Sequence, residues 1–113
     1  MPNNTKAVVD ANKITDYLLS DTHEIGKHKA AFFKSFGFDK SSPPIFEEAL
    51  KNHAVEREIV NNYGSPFGKK YQLECDIETP DKRNPCIVSI WIIENDTQEP
   101  RFITAYPAKE KRV

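Results

Sequence analysis

The sequence has little net charge, two cysteines, four glycines and no long apolar stretch, and each shortage excludes something. Lys and Arg number 16 against 17 Asp and Glu, for a net charge of -1. A protein that binds nucleic acid through bulk positive charge is therefore excluded, and such a role would need its cations gathered on one face. No run approaches the ~20 apolar residues of a membrane-spanning helix, and Met1 to Lys6 lacks the apolar centre of a signal peptide. A cytoplasmic chain without a membrane partner is the expectation. Two thiols with no His or Cys pair at ligand spacing are too few for a metal site. The absence of GxGxxG, P-loop, HExxH and CxxC patterns leaves nucleotide loops and zinc without support, so neither a cofactor nor a metal is expected.

A chain of 113 residues makes one domain, 1–113, with a single core. Its strongest pattern is Cys86-Ile87-Val88-Ser89-Ile90-Trp91-Ile92-Ile93, apolar at nearly every position and rich in β-branched residues, as in a strand covered on both faces. Lys70 to Glu78 precedes it with strict alternation, and Arg101 to Tyr106 follows before Pro107. The three predict an antiparallel meander, with Arg57 to Tyr63 as an added first strand and Gly64 to Gly68 as a turn. The strand apolar on both sides leaves a sheet face that a partner protein could complete.

Helical signals come earlier. Asp10 precedes Ile14, Tyr17 and Leu18 at helical spacing. Asp21-Thr22-His23-Glu24 approximates a capping box, opening a second helix that Gly37 stops. Pro43 and Pro44 open a third, whose Phe46, Ala49, Leu50 and His53 share one face. The fold expected is α+β, with about three N-terminal helices packed on an antiparallel meander of three to four strands. Residues 1–9 are read as an extended arm and 108–113 as a basic tail, both flexible. Cys75 and Cys86, on consecutive strands, are read as small buried thiols kept reduced, with a disulfide as the alternative.

The polar residues that could carry chemistry are few. His23 falls in a helix first turn, where the dipole depresses its pKa and a phosphate could meet free N–H groups; it is equally a solvent-exposed residue. Lys29 shares a helix face with Ile25, Phe32 and Phe36, so it either snorkels or is a desolvated cation aimed at a cleft. His53 reads as a satisfied core histidine. Lys69, Lys70, Tyr71, Arg83 and Arg101 have bland readings as edge, turn or strand-face residues. Period two puts Phe102, Thr104 and Tyr106 on one face of the last strand, with Arg101, Ile103 and Ala105 on the other.

Four runs read together resemble an uncharacterised bacterial toxin-like domain family of about this length. They are Asp21 to Phe33, containing Gly26-Lys27-His28-Lys29-Ala30-Ala31-Phe32-Phe33; Phe67-Gly68-Lys69-Lys70-Tyr71; Val88-Ser89-Ile90-Trp91; and Pro100 to Pro107, containing Thr104-Ala105-Tyr106-Pro107. The resemblance implies a toxin-antitoxin or polymorphic-toxin setting with a small antitoxin or immunity partner. The order of helices then meander also resembles the barnase-EndoU-colicin-RelE group of RNase toxins. That likeness implies metal-independent endoribonuclease activity on RNA, with His23, Lys29, Lys70, Thr104 and Tyr106 as catalytic residues. The near-neutral charge departs from that group, whose members are commonly basic. A non-enzymatic protein-interaction module is the alternative, and expects nothing of His23.

Overall fold

The computed structural model describes residues 1–15 and 27–108. In chain order these hold a 3-10 turn at Asn4–Lys6, α1 (Ala11–Lys13), α2 (Lys27–Ser35), α3 (Pro43–Glu56), and strands β1 (Ile59–Ser65), β2 (Gly68–Asp76), β3 (Cys86–Glu94) and β4 (Arg101–Pro107). All four strands pair antiparallel in the order β1-β2-β3-β4. The architecture is α+β, with β3 inside the sheet as its apolar run predicts. Of the three helices expected before the sheet, α2 and α3 are present. The first is described only as the three residues of α1, and the capping residues Asp21 to Glu24 lie outside the described residues.

Helix α2 ends as its sequence dictates. Gly37, at φ 103, donates its N–H to Lys34 O at 3.0 Å, and Phe38 donates to Phe33 O at 3.3 Å, the paired bonds of a Schellman motif. The rings of Phe33 and Phe38, 6.2 Å apart, make the apolar contact that accompanies it. Helix α3 starts with proline in its first turn, where a missing N–H costs nothing, and buries Phe46, Ala49, Leu50, His53 and Ala54.

One core joins these helices to the sheet. Phe38 stacks on Phe46 with centroids 4.2 Å apart, Phe33 closes on Phe46 at 4.7 Å, and Trp91 meets Phe102 edge-on at 5.3 Å. Leu73, Ile87, Trp91 and Phe102 supply the sheet side, all almost fully buried, each burial worth roughly 1.5–3 kcal/mol. On the opposite face Val88 and Ile92 are also buried, at 4% and 9% exposure. Two of the three apolar side chains on the second face of β3 are thus buried within the chain itself, and Ile90 between them is half-buried.

The arm belongs to this packing. Val8 bridges in parallel to Arg101, its N–H donating to Pro100 O at 2.8 Å while its own carbonyl accepts from Phe102 at 2.9 Å. Ala7 and Val9, flanking it, are buried in the core. The outer edge of β4 is therefore paired at its start, whereas no strand among the described residues pairs with the outer edge of β1.

Alternation fails at one place on β4. Ile90 pairs with Thr104 but its neighbour Trp91 pairs with Phe102, so Ile103 is an extra residue in a β-bulge. The bulge puts Phe102 on the same side as Ala105, at 1% and 0% exposure, and separates it from Thr104 and Tyr106. Strict period two, which groups Phe102 with Thr104 and Tyr106, is corrected by that single inserted residue.

Candidate functional site

The bulge turns Thr104 and Tyr106 to the sheet face opposite the core, and α2 brings Lys29 to meet them. Lys29 Nζ donates to Thr104 Oγ1 at 3.0 Å across 75 residues of sequence. The same ammonium lies 5.7 Å from the centroid of the Tyr106 ring, within cation–π range. All three side chains are half-buried. The helix places Lys29 so because its buried residues are Ala30 and Phe33, not the Phe32 and Phe36 face expected from spacing. Lys29 stands at the rim of that stripe, with its stem against protein and its head on β4.

Lys70 shares this sheet face from two strands away. It pairs with Ile92, which pairs with Arg101, whereas Thr104 lies in register with Ile90 and Gln72. Four of the five candidate residues are therefore described: Lys29, Thr104 and Tyr106 meet, whereas Lys70 is on the same side of the sheet but two strands and two register steps away. His23 lies outside the described residues. The arrangement offers a fixed ammonium, a hydroxyl and a phenol over one patch, a set suited to holding an anionic group and moving a proton.

The remaining polar candidates are structural. Arg83 lies over the Phe36 ring at 4.3 Å, pairs with Asp81, and donates to Ser35 O, pinning the β2–β3 loop to the end of α2. Lys69 lies over the Tyr71 ring, and Arg101 pairs with Glu94.

His53 is 2% exposed and satisfied at both nitrogens. Its Nε2 lies 2.8 Å from Cys75 O, an acceptor only, so that nitrogen carries the proton. Nδ1 must then accept, and it does so from Ser89 Oγ at 2.8 Å. Ser89 Oγ in turn accepts from Trp91 Nε1 at 2.9 Å. Burial pushes the His53 pKa down to about 4, against the opposing pull of the Cys75 carbonyl, so the ring is neutral at physiological pH. Sequence reading had no place for Ser89 in this chain. Its signal was a lone hydroxyl inside an apolar strand with a tryptophan two residues on, on the same face.

The cysteines depart from expectation. Cys75 is exposed and Cys86 half-buried, and their sulfurs are in direct contact. Cys75 has φ 129, which redirects a side chain that regular alternation would send into the core.

A depression of about 530 Å3 lies elsewhere, between the start of α3 and the β2–β3 loop, lined by Pro44, Ile45, Glu48, Pro80 and Lys82 among others. It contains none of the candidate residues. Among the described residues, no group of three His, Cys, Asp or Glu side chains is placed to hold a metal ion, and no helix is long and apolar enough to cross a membrane.

Among the described residues, a four-stranded antiparallel meander with α2 and α3 packed on it makes an α+β domain. Residues 1–109 match the family described as "Domain of unknown function (DUF6883)", and the chain belongs to it. Among solved structures, it is similar to a chain in the "Contact-dependent growth inhibition toxin - immunity protein complex from Klebsiella pneumoniae 342". The TM-score is 0.71 at 20% identity, covering 96% of this chain and 98% of that one, which establishes a shared fold. No curated protein matches significantly.

Proposed function

We propose that this domain is a toxin that cleaves RNA without a metal and is neutralised by a small immunity or antitoxin partner. The observation that carries the reading is the Lys29–Thr104–Tyr106 cluster, assembled from distant segments on one sheet face. The fold shared with a chain of a toxin–immunity complex supports the setting. In the reaction, a base removes the proton of a ribose 2′-hydroxyl, whose oxygen attacks the adjacent phosphorus. The 5′-oxygen leaves with a proton from the acid, giving a 2′,3′-cyclic phosphate and a 5′-hydroxyl. Lys29 and Lys70 stabilise the charge that gathers on the phosphorane, Thr104 and Tyr106 orient the phosphate, and His23 serves as acid or base. Fixed donors on a half-buried surface suit this role because they need no reorganisation as the charge develops.

The test is cleavage of bacterial total RNA by the purified chain in the presence of a chelator, with end-group analysis. Cyclic-phosphate ends, and their loss in Lys29→Met, are expected. Intact RNA, or undiminished cleavage by Lys29→Met, overturns the reading.

A second reading, a protein-interaction module without catalysis, draws on β1. This edge strand and its turn carry Val60, Tyr63 and Phe67 at 52%, 44% and 75% exposure. An edge with apolar side chains is a template for an added strand. Growth arrest on expression that survives Lys29→Met but is lost in a Tyr63→Lys, Phe67→Lys variant would favour it.

A further inference from the structure

The two thiols stand where a covalent switch could be thrown. Cys75 is paired with Ile87 and Asp76 with Cys86, so the cysteines sit diagonally on adjacent strands. In a regular ladder, diagonal neighbours offset by one residue project to opposite faces. Here φ 129 at Cys75 breaks the alternation and brings its sulfur into contact with that of Cys86. Side chains whose sulfurs already meet across adjacent strands can be joined without a large backbone movement. A non-glycine residue in that backbone region is strained, and the strain is offset by what it positions. It turns the Cys75 thiol outward to Cys86 while its carbonyl accepts the Nε2 proton of His53 at 2.8 Å.

We propose that Cys75 and Cys86 form a reversible redox-modification site, closed to an intramolecular disulfide by a low-molecular-weight disulfide, and that the Cys75 carbonyl conveys the change to the buried His53–Ser89–Trp91 chain. The steps balance. The Cys75 thiolate attacks one sulfur of the oxidant, whose S–S bond breaks and releases one thiolate. Cys86 gives up its proton to that thiolate and attacks the Cys75 sulfur of the mixed disulfide, releasing a second thiolate that takes up the proton Cys75 had given to water. Two protein thiols are oxidised, and one small disulfide is reduced to two thiols. The order of attack follows from the surroundings. Burial, with the hydrogen bond to Cys75 adding to it, pushes Cys86 up to about 12, so Cys86 holds its proton at neutral pH and the more exposed Cys75 meets the oxidant first.

The consequence inside the protein follows the hydrogen bonds. Closing the bond constrains the Cys75 residue whose carbonyl holds His53, and His53 is joined through Ser89 to Trp91, so even a small adjustment at Cys75 is felt at the indole. Trp91 is the chain's one tryptophan, so its emission reports the change. The disulfide also ties the ends of the β2–β3 connection, which limits the freedom of the unfolded chain.

The full chain is equilibrated with oxidised and reduced glutathione in varying ratio, then examined by thiol titration under denaturing conditions, intact mass and tryptophan emission. Expected are loss of both thiols together, a monomer lighter by two hydrogens, an emission change that tracks the thiol loss, and a thermal midpoint several degrees higher. All should reverse with dithiothreitol. Cys86→Ala should stop at a glutathione adduct on Cys75 without the emission change. Two thiols that persist in oxidised glutathione, a lasting glutathione adduct on the unaltered chain, or disulfide-linked dimers would overturn the site. A disulfide that forms with no response from Trp91 would overturn the link to the buried chain. None of these readouts depends on RNA cleavage, so the site stands or falls apart from the function proposed above.

Discussion

The two polar clusters of this domain lie on opposite faces of one sheet and differ in what surrounds them. Around His53, every donor has an acceptor inside the protein: the ring, Ser89 and Trp91 form a closed line ending at a backbone carbonyl. Around Lys29, the groups are half-buried and present charge and hydroxyls at the rim of a helix. Histidine is the usual acid–base residue, yet here burial holds it neutral and its lone pair is already engaged. A group whose hydrogen bonds are complete in the resting protein has no capacity left for a substrate. The proposed chemistry therefore falls to the lysine face, while the histidine face is part of the core.

The contrast can be broken most forcefully at Trp91. Trp91→Ala removes the largest fully buried side chain and one donor of the closed line, and should lower stability by about 4 kcal/mol in denaturant titration. A loss no larger than at a surface position would show that the histidine face is not the structural one.

Acid should act on the same face next. The pKa of His53 is about 4 folded against the ordinary 6.5 of an unfolded chain, so between those limits the unfolded chain binds the extra proton. Stability is then fully present above about pH 6.5 and falls by about 3 kcal/mol as pH drops towards 4. Unfolding curves at a series of pH values measure this, and a flat profile across that window would mean His53 does not stay buried and neutral.

Ser89→Ala is a finer cut. It leaves Nδ1 of His53 and Nε1 of Trp91 without their shared partner, and should cost about 2 kcal/mol with the fold retained. Ser89→Thr, which keeps the hydroxyl, should recover part of that loss, and failure to do so would point to packing alone.

The smallest expected change in stability belongs to the other face. Lys29→Met keeps the stem and deletes the charge, and should shift stability by less than about 1 kcal/mol, because half-exposed charge contacts contribute little. Its effect should appear in RNA cleavage instead. A large loss of stability there would erase the distinction between the faces and make Lys29 a packing residue.

Much of the scaffold is legible in the sequence. The Schellman ending at Gly37 and the proline-led α3 each follow from local chemistry, and the central place of β3 follows from its apolar run, so neighbours could not overrule them. The candidate cluster was legible only in part. Lys29, Thr104 and Tyr106 were singled out from spacing and from likeness to a family, but Phe102 was grouped with them wrongly, because a bulge has no reliable sequence mark. The Lys29 face of α2 was misjudged by one position, since several apolar residues crowd that helix and spacing cannot choose among overlapping stripes.

What the sequence determined by itself is the order of helices then strands, the end of α2, the start of α3 and a sheet built around Cys86 to Ile93. Those depend on periodicity, capping and turn chemistry, which act between near neighbours. Only the tertiary structure decided that Val8 pairs at one edge of the sheet, that Ile103 is the inserted residue on β4, that Ser89 joins His53 to Trp91, and that a strained Cys75 faces Cys86. Each is a pairing between distant segments, chosen because every buried polar group must find a partner and every register must satisfy the whole sheet at once.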